Sequence, residues 1–249
     1  MTSHPLLTIA KREILLYVRN KGRVIGTLGA PLFYLVILGF GLESALAVEG
    51  TTYFPFLLCG ILGMVVLFQS VFSALSVVTE RQFGFLKEML VAPISRRSIV
   101  LGKASGTAIT ATTQAMLVLL LGLALGFQLN APFVHYLLAI ALLLLTGIGF
   151  SSLGLAFATK ITDPQTFQFI FNFLILPVFL LSGAVFPLER APAWLQSVML
   201  LDPLTYTVEG LRGLLLGVSH VPVLHSFMAI IGFDIALVLL AAHLFQKME

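Results

Sequence analysis

Runs of seventeen or more residues with almost no charge recur along this chain. That length is what a helix needs to cross a hydrocarbon layer roughly 30 Å thick. A backbone in hydrocarbon has no water to bond, so the spanning structures open to it are helices and closed barrels. A barrel needs dyad alternation in pieces of about 10 residues, and the runs show none. The sequence therefore predicts an all-α membrane protein, a single transmembrane domain over 1–249. Six spans are expected, at 24–40, 57–78, 104–127, 134–158, 167–186 and 223–245, with kinks at Pro31 and Pro177. Composition agrees: 59% of the residues are hydrophobic and 10% charged, against about 25% charged in a soluble domain.

The placement of charge orients the spans. The net charge of +3 reads as membrane orientation and not as nucleic-acid binding. With the N-terminus inside, twelve of the fourteen Lys and Arg residues fall on the cytoplasmic side, leaving Arg190 and Arg212 outside. Both termini are then cytoplasmic. Residues 1–23 carry Lys11, Arg12, Arg19, Lys21 and Arg23, with Leu6, Leu7, Ala10, Ile14, Tyr17 and Val18 on one helical face. This is the pattern of a basic amphipathic helix lying on a membrane surface. A signal peptide cut near Ala45-Leu46-Ala47 is the alternative, disfavoured because the preceding region is long and amphipathic. The single cysteine, Cys59, excludes an intrachain disulfide and a Cys-based zinc cluster. The five histidines are not spaced as a metal site, so no metal is expected.

Polar residues inside or between spans are the candidate functional positions. The segment 79–97, TERQFGFLKEMLVAPISRR, sets Phe83, Leu86 and Leu90 on one face, and Glu80, Arg81, Lys87 and Glu88 largely on another. Pro93 stops a helix there and Ser95 can cap the next. By pattern alone this is either a solvated connector or a docking site. Thr110 and Gln114 in the third span, Asn172 in the fifth and Asp234 in the sixth are candidates for a translocation path, because polar groups at membrane depth are costly. Packing and backbone bonding are the alternative for each. Residues 187–222 hold two short apolar runs broken at Asp202-Pro203, read as outer half-helices that dip and return. Within them Glu209 and Arg212, three apart, can pair. Gly22/Gly26, Gly102/Gly106, Gly122/Gly126 and Gly213/Gly217 offer close-packing faces.

Glu80, Arg81, Gly84, Leu86, Glu88, Leu90, Ala92 and Pro93 stand in an order that resembles the signature of membrane subunits of type-2 ATP-binding-cassette exporters. The stretch LSGAVFPLERAPAWLQSVMLLDPLTYTVEGLRGLLLG is similar to that family as well. The chain departs from the pattern at Lys87 and Asp202. The resemblance implies that 79–97 is a coupling helix seated on a cytoplasmic ATPase, through Glu80, Arg81, Phe83, Gly84, Leu86, Lys87, Glu88, Leu90 and Pro93. It implies a second six-span copy, with a homodimer favoured, a plasma (inner) membrane location and contact with membrane lipid. It also implies export of an amphipathic, drug-like or lipid-linked substrate. ATP and Mg²⁺ are expected on the partner, with no cofactor on this chain: the nearest phosphate-loop fragment, Gly102-Lys103, is followed by Ala104 in place of Ser or Thr. Export of a lipid-linked glycan, a membrane-embedded lipid-modifying enzyme and a non-transporting scaffold are the alternatives.

Overall fold

Backbone N–H and C=O groups in a bilayer bond within their own helix, and the chain follows that rule. The computed structural model describes residues 5–43, 48, 50–83, 95–128 and 130–247, apart from the side chain of Arg23. Among these residues there are helices and turns, with one isolated bridge between Val48 and Thr51. Five helical stretches are long and apolar enough to cross a membrane. A sixth is counted if Pro5–Arg19 and Val24–Phe40, which meet at 77°, form one bent span.

The chain opens with α1 (Pro5–Arg19) and α2 (Lys21–Gly26). A turn at Thr27 and Leu28 leads to α3 (Gly29–Tyr34), which passes into a π-helical stretch, Leu35–Phe40. The expected first span, 24–40, corresponds to the stretch Val24–Phe40, interrupted by the turn at Thr27 and Leu28. Pro31 falls in the first turn of α3, where its missing N–H removes no helical bond. Next come α4 (Tyr53–Ser73) and α5 (Leu75–Gln82), separated by a single turn residue, Ala74.

α6 (Arg96–Ala124) starts at Arg96, earlier than the expected 104, because Ser95 caps it: Ser98 N–H donates to Ser95 Oγ at 3.1 Å. α7 (Phe133–Ala158) follows, then α8 (Pro164–Leu181). Asp163 caps α8, accepting from Thr166 N–H and Thr166 Oγ1 at 2.7 Å each. These bonds hold the Asp163 carboxyl below the usual carboxylate range. α8 runs on through Pro177 and ends at Leu181, short of the expected 186.

A 3₁₀ turn at Leu188–Arg190 and two short helices, α9 (Ala193–Met199) and α10 (Pro203–Leu215), occupy the expected hairpin region. Asp202 starts α10 by accepting from Leu204 N–H at 2.9 Å. α11 (Val223–Gln246) closes the fold.

α4 is the central helix. It packs on α6, α7, α8, α10 and the π-helical stretch, and nearly all of its side chains are buried. α8 and α11 lie at the periphery. α1 lies along the first half of α6 in the same sense, with Ile9 at Gly102, Ala10 and Glu13 at Gly106, and Tyr17 bonded to Gln114. Its buried face is thus Ile9, Ala10 and Tyr17, while Leu7 and Val18, expected on the same face, are exposed.

The contact with α6 depends on small residues, as helix association in lipid does. A Cβ at Gly106 would stand 2.9 Å from the Ala10 carbonyl oxygen and 2.9 Å from Glu13 Cβ. Gly106→Ala is expected to push α1 off α6 at a cost of about 1–3 kcal/mol, the usual range for overpacking. Thermal unfolding in detergent should show a lowered midpoint for Gly106→Ala. Gly232→Ala, at a glycine with nothing within 4 Å of its Cβ position, should be unchanged.

Candidate functional site

Where α1, the end of α5 and the start of α6 meet, four charged side chains form one network. Arg12 Nη1 lies 2.8 Å from Glu80 Oε1 and 3.5 Å from Glu13 Oε1. Lys103 Nζ lies 3.1 Å from Glu13 Oε1 and 2.9 Å from Glu80 Oε2. The Lys103 side chain is 3% exposed, so it is a buried cation that two carboxylates neutralise. The next residue, Arg81, turns the other way: its Nη1 donates to the Thr159 carbonyl, at the C-terminal end of α7, at 3.1 Å. Glu80 and Arg81 thus brace α1, α5, α6 and α7 together. Phe83 is exposed. Gly84, Leu86, Lys87, Glu88, Leu90 and Pro93 lie outside the described residues. Of the basic residues expected on the N-terminal helix, Lys11 and Arg19 are exposed and Arg12 belongs to the network.

Next to this brace is a cavity of about 720 Å³. One wall is a helical stripe on α4 and α5: Val65, Phe68, Gln69, Phe72, Ser73, Ser76 and Thr79. The opposite wall is Gly26, Thr27, Ala30, Pro31 and Tyr34, so the break before α3 shapes it. Gln114 of α6 and Gln168 of α8 complete the lining. Gln114 is locked in place. Tyr17 Oη donates to its Oε1, and its Nε2 donates to Thr27 Oγ1 at 2.5 Å.

Of the four residues expected on a path, Gln114 alone lines this cavity. Thr110 is buried and its Oγ1 donates to the Thr107 carbonyl at 2.9 Å, a helix-internal bond. Asn172 sits on the exposed face of α8, one turn from Gln168. Asp234 is remote from the cavity lining: it packs against α7 at Gly149, where a Cβ would lie 2.3 Å from Oδ1. Neither Asp234 oxygen has a hydrogen-bond partner among the described residues. The four residues are therefore not one constellation.

At the far end, Arg212 is buried with its Nη1 2.9 Å from Glu209 Oε1. Its Nη2 donates to the Gly183 carbonyl at 2.8 Å, and its Cζ lies 3.4 Å from the Phe56 ring centroid. The second Glu209 oxygen accepts from His220 N–H at 2.6 Å. The pair thereby ties α10 to α4, to the turn after α8 and to the loop before α11, a structural use of both charges.

Sequence reasoning missed Tyr34, Phe68, Gln69, Phe72, Ser76 and Thr79. A signal was present: positions 65, 68, 69, 72, 73, 76 and 79 follow a helical period, and Gln69 is an amide inside an otherwise apolar run.

The chain matches the profile of the family described as ABC-2 type transporter over residues 4–216. It is 31% identical over 211 residues to a protein of Cyanophora paradoxa named as a transport permease, ycf38, covering 83% of this chain and 72% of that one. It is 29% identical over 197 residues to Nodulation protein J of Rhizobium leguminosarum bv. trifolii, covering 78% and 74%. A protein of Escherichia coli K12 named as a multidrug ABC transporter permease, YbhR, is 34% identical over 139 residues, covering 55% of this chain and 37% of its own length.

The brace makes a quantitative prediction. Lys103→Met leaves Glu13 and Glu80 with Arg12 as their one shared cation, and a broken buried pair costs about 3–5 kcal/mol. Thermal unfolding should show that loss. Adding Glu80→Gln should recover part of it, the non-additivity expected of residues in one network.

Proposed function

Because this chain belongs to the ABC-2 type transporter family, we propose that it is the transmembrane subunit of an ATP-driven exporter. Its cargo is an amphipathic, drug-like or lipid-linked compound taken from the cytoplasm or inner leaflet. A separate ATPase holds ATP and Mg²⁺, and this chain holds no cofactor. The observation that carries the reading is that two consecutive residues of α5, at the start of the expected coupling segment 79–97, meet different parts of the bundle. Thr79 lines the cavity and Glu80 joins the ionic brace. Movement of that segment is then passed by α5 to the cavity wall, while the brace makes α1, α6 and α7 follow.

The remaining assignments follow from charge and exposure. The end bearing α1, the brace and most of the Lys and Arg residues is cytoplasmic, with both termini there, by the positive-inside asymmetry. Exposed Lys11 and Arg19 beside exposed Leu7, Leu15, Leu16 and Val18 suit α1 to a lipid surface. At the other end α9 and α10 form the outer cap, with Trp194 and Leu201 exposed at the depth an aromatic belt takes. On α8, Asn172 is exposed among Phe169, Phe173 and Leu176. A carboxamide turned to hydrocarbon is costly, and a second copy of the chain covers this face. The E. coli relative's name supports drug-like cargo.

The test is reconstitution with the cognate ATPase. Gly84→Val and Glu88→Ala are expected to lower transport and permease-dependent ATPase activity at least tenfold while leaving the amount of membrane-inserted chain unchanged. Full activity in both variants would remove 79–97 from the coupling route. Failure of the chain to co-purify with any ATPase would remove the exporter reading itself.

A further inference from the structure

The cavity beside α4 has a chemical bias that an exporter need not have. Its lining contains no Asp, Glu, Lys, Arg or His among the described residues. Glu80, next to Thr79 in the chain, is paired with Arg12 and Lys103. The walls are aromatic and aliphatic, with Phe68 and Phe72 prominent. At about 720 Å³ the space is of the size that takes a drug-sized molecule, about 300–1,000 Å³.

The second observation is Gln69. It is nine-tenths buried, at 9% exposure, and its carboxamide lines the cavity without a hydrogen bond to any described residue. Gln168 and Tyr34 also present polar groups there with no partner among the described residues. Gln114, on the same cavity, shows the contrast: both ends of its amide are occupied by Tyr17 and Thr27. A carboxamide supplies two N–H donors and one carbonyl acceptor, and those of Gln69 are reachable from the cavity. Gln69 therefore offers donors and an acceptor to a hydroxyl or carbonyl group of whatever fills the space.

We infer that this cavity binds an uncharged amphiphile, an apolar or aromatic body carrying hydroxyl or carbonyl groups that bond to Gln69. Phosphate and sulfate groups are recognised by Arg, Lys or amide clusters, and a primary ammonium group by carboxylates; neither lines this cavity among the described residues. An ion brought into this lining would lose its hydration without gaining a counter-charge. The inference rests on the exporter reading only in treating the cavity's occupant as cargo.

The test uses the full-length chain in lipid nanodiscs with three radiolabelled probes sharing one C12 tail: dodecyl glucoside, dodecyl phosphate and dodecylammonium. Comparison with protein-free nanodiscs cancels partition into lipid. Dodecyl glucoside is expected to bind at least tenfold more tightly than the two ions, and Gln69→Leu to lose about tenfold. Gln69→Glu, of the same shape but acidic, should move the preference to dodecylammonium, an outcome that an unfolded variant cannot produce. Equal or tighter binding of dodecyl phosphate, identical binding to wild type and Gln69→Leu, or no binding of any probe overturns the inference.

The exporter reading is tested apart from this, by ATP-driven efflux from the reconstituted complex with Ser76→Trp filling the cavity. A blocked efflux with the wrong probe ranking removes only the charge class. Undiminished efflux removes the cavity from the path.

Discussion

A polar group carried into hydrocarbon has to find its partner in the protein. That one requirement orders most of this structure. It makes the spans helical, and it explains why Lys103 and Arg212, the two most buried cations among the described residues, each sit against carboxylates. The two knots lie at opposite ends of the bundle and do different jobs. The one at Lys103 joins helices far apart in sequence. The one at Glu209 and Arg212 is local, and uses its spare donors to fix the turn at Gly183. Gln69 differs from the unpartnered carboxyl of Asp234 in that its amide faces the open space of the cavity.

The cavity and the Lys103 knot gain meaning from their adjacency. Thr79 and Glu80 are consecutive residues on α5, yet one faces a void and the other a salt bridge. A helix is stiff over two turns, so rotation or translation at its C-terminal end reaches both faces together. Arg81 extends the same rigid unit to the end of α7 through the Thr159 carbonyl. The Glu80-Arg81 dipeptide thus acts within the bundle as a clamp on four helices. That is a different use from direct contact with a neighbouring subunit, the role its resemblance suggests.

Much of the helical architecture was legible because hydrocarbon thickness and hydropathy leave few choices. Caps were legible where a short polar side chain precedes a helix, as at Ser95. The Glu209–Arg212 pair was legible because three residues along a helix share a face. The partners of Glu80 were not, since Lys103 and Arg12 approach it only through the tertiary packing of three helices. The α4 stripe was hidden for another reason: α4 is buried all round, so one apolar face does not stand out against the rest. Thr110 spends its hydroxyl on its own helix, which is one of the two uses its sequence position left open.

The seating of α1 on Gly102, Lys103 and Gly106 also has a consequence for how the chain is made. Glu13 emerges from the ribosome 90 residues ahead of Lys103. At about 5–20 residues per second, the first helix is complete roughly 5–20 s before its socket exists. During that interval Glu13 and Tyr17 have neither Lys103 nor Gln114 to meet, and the helix has only the membrane surface to hold it. The glycines of α6 then receive a helix that has been waiting, so the first element synthesised is among the last to be locked into the bundle.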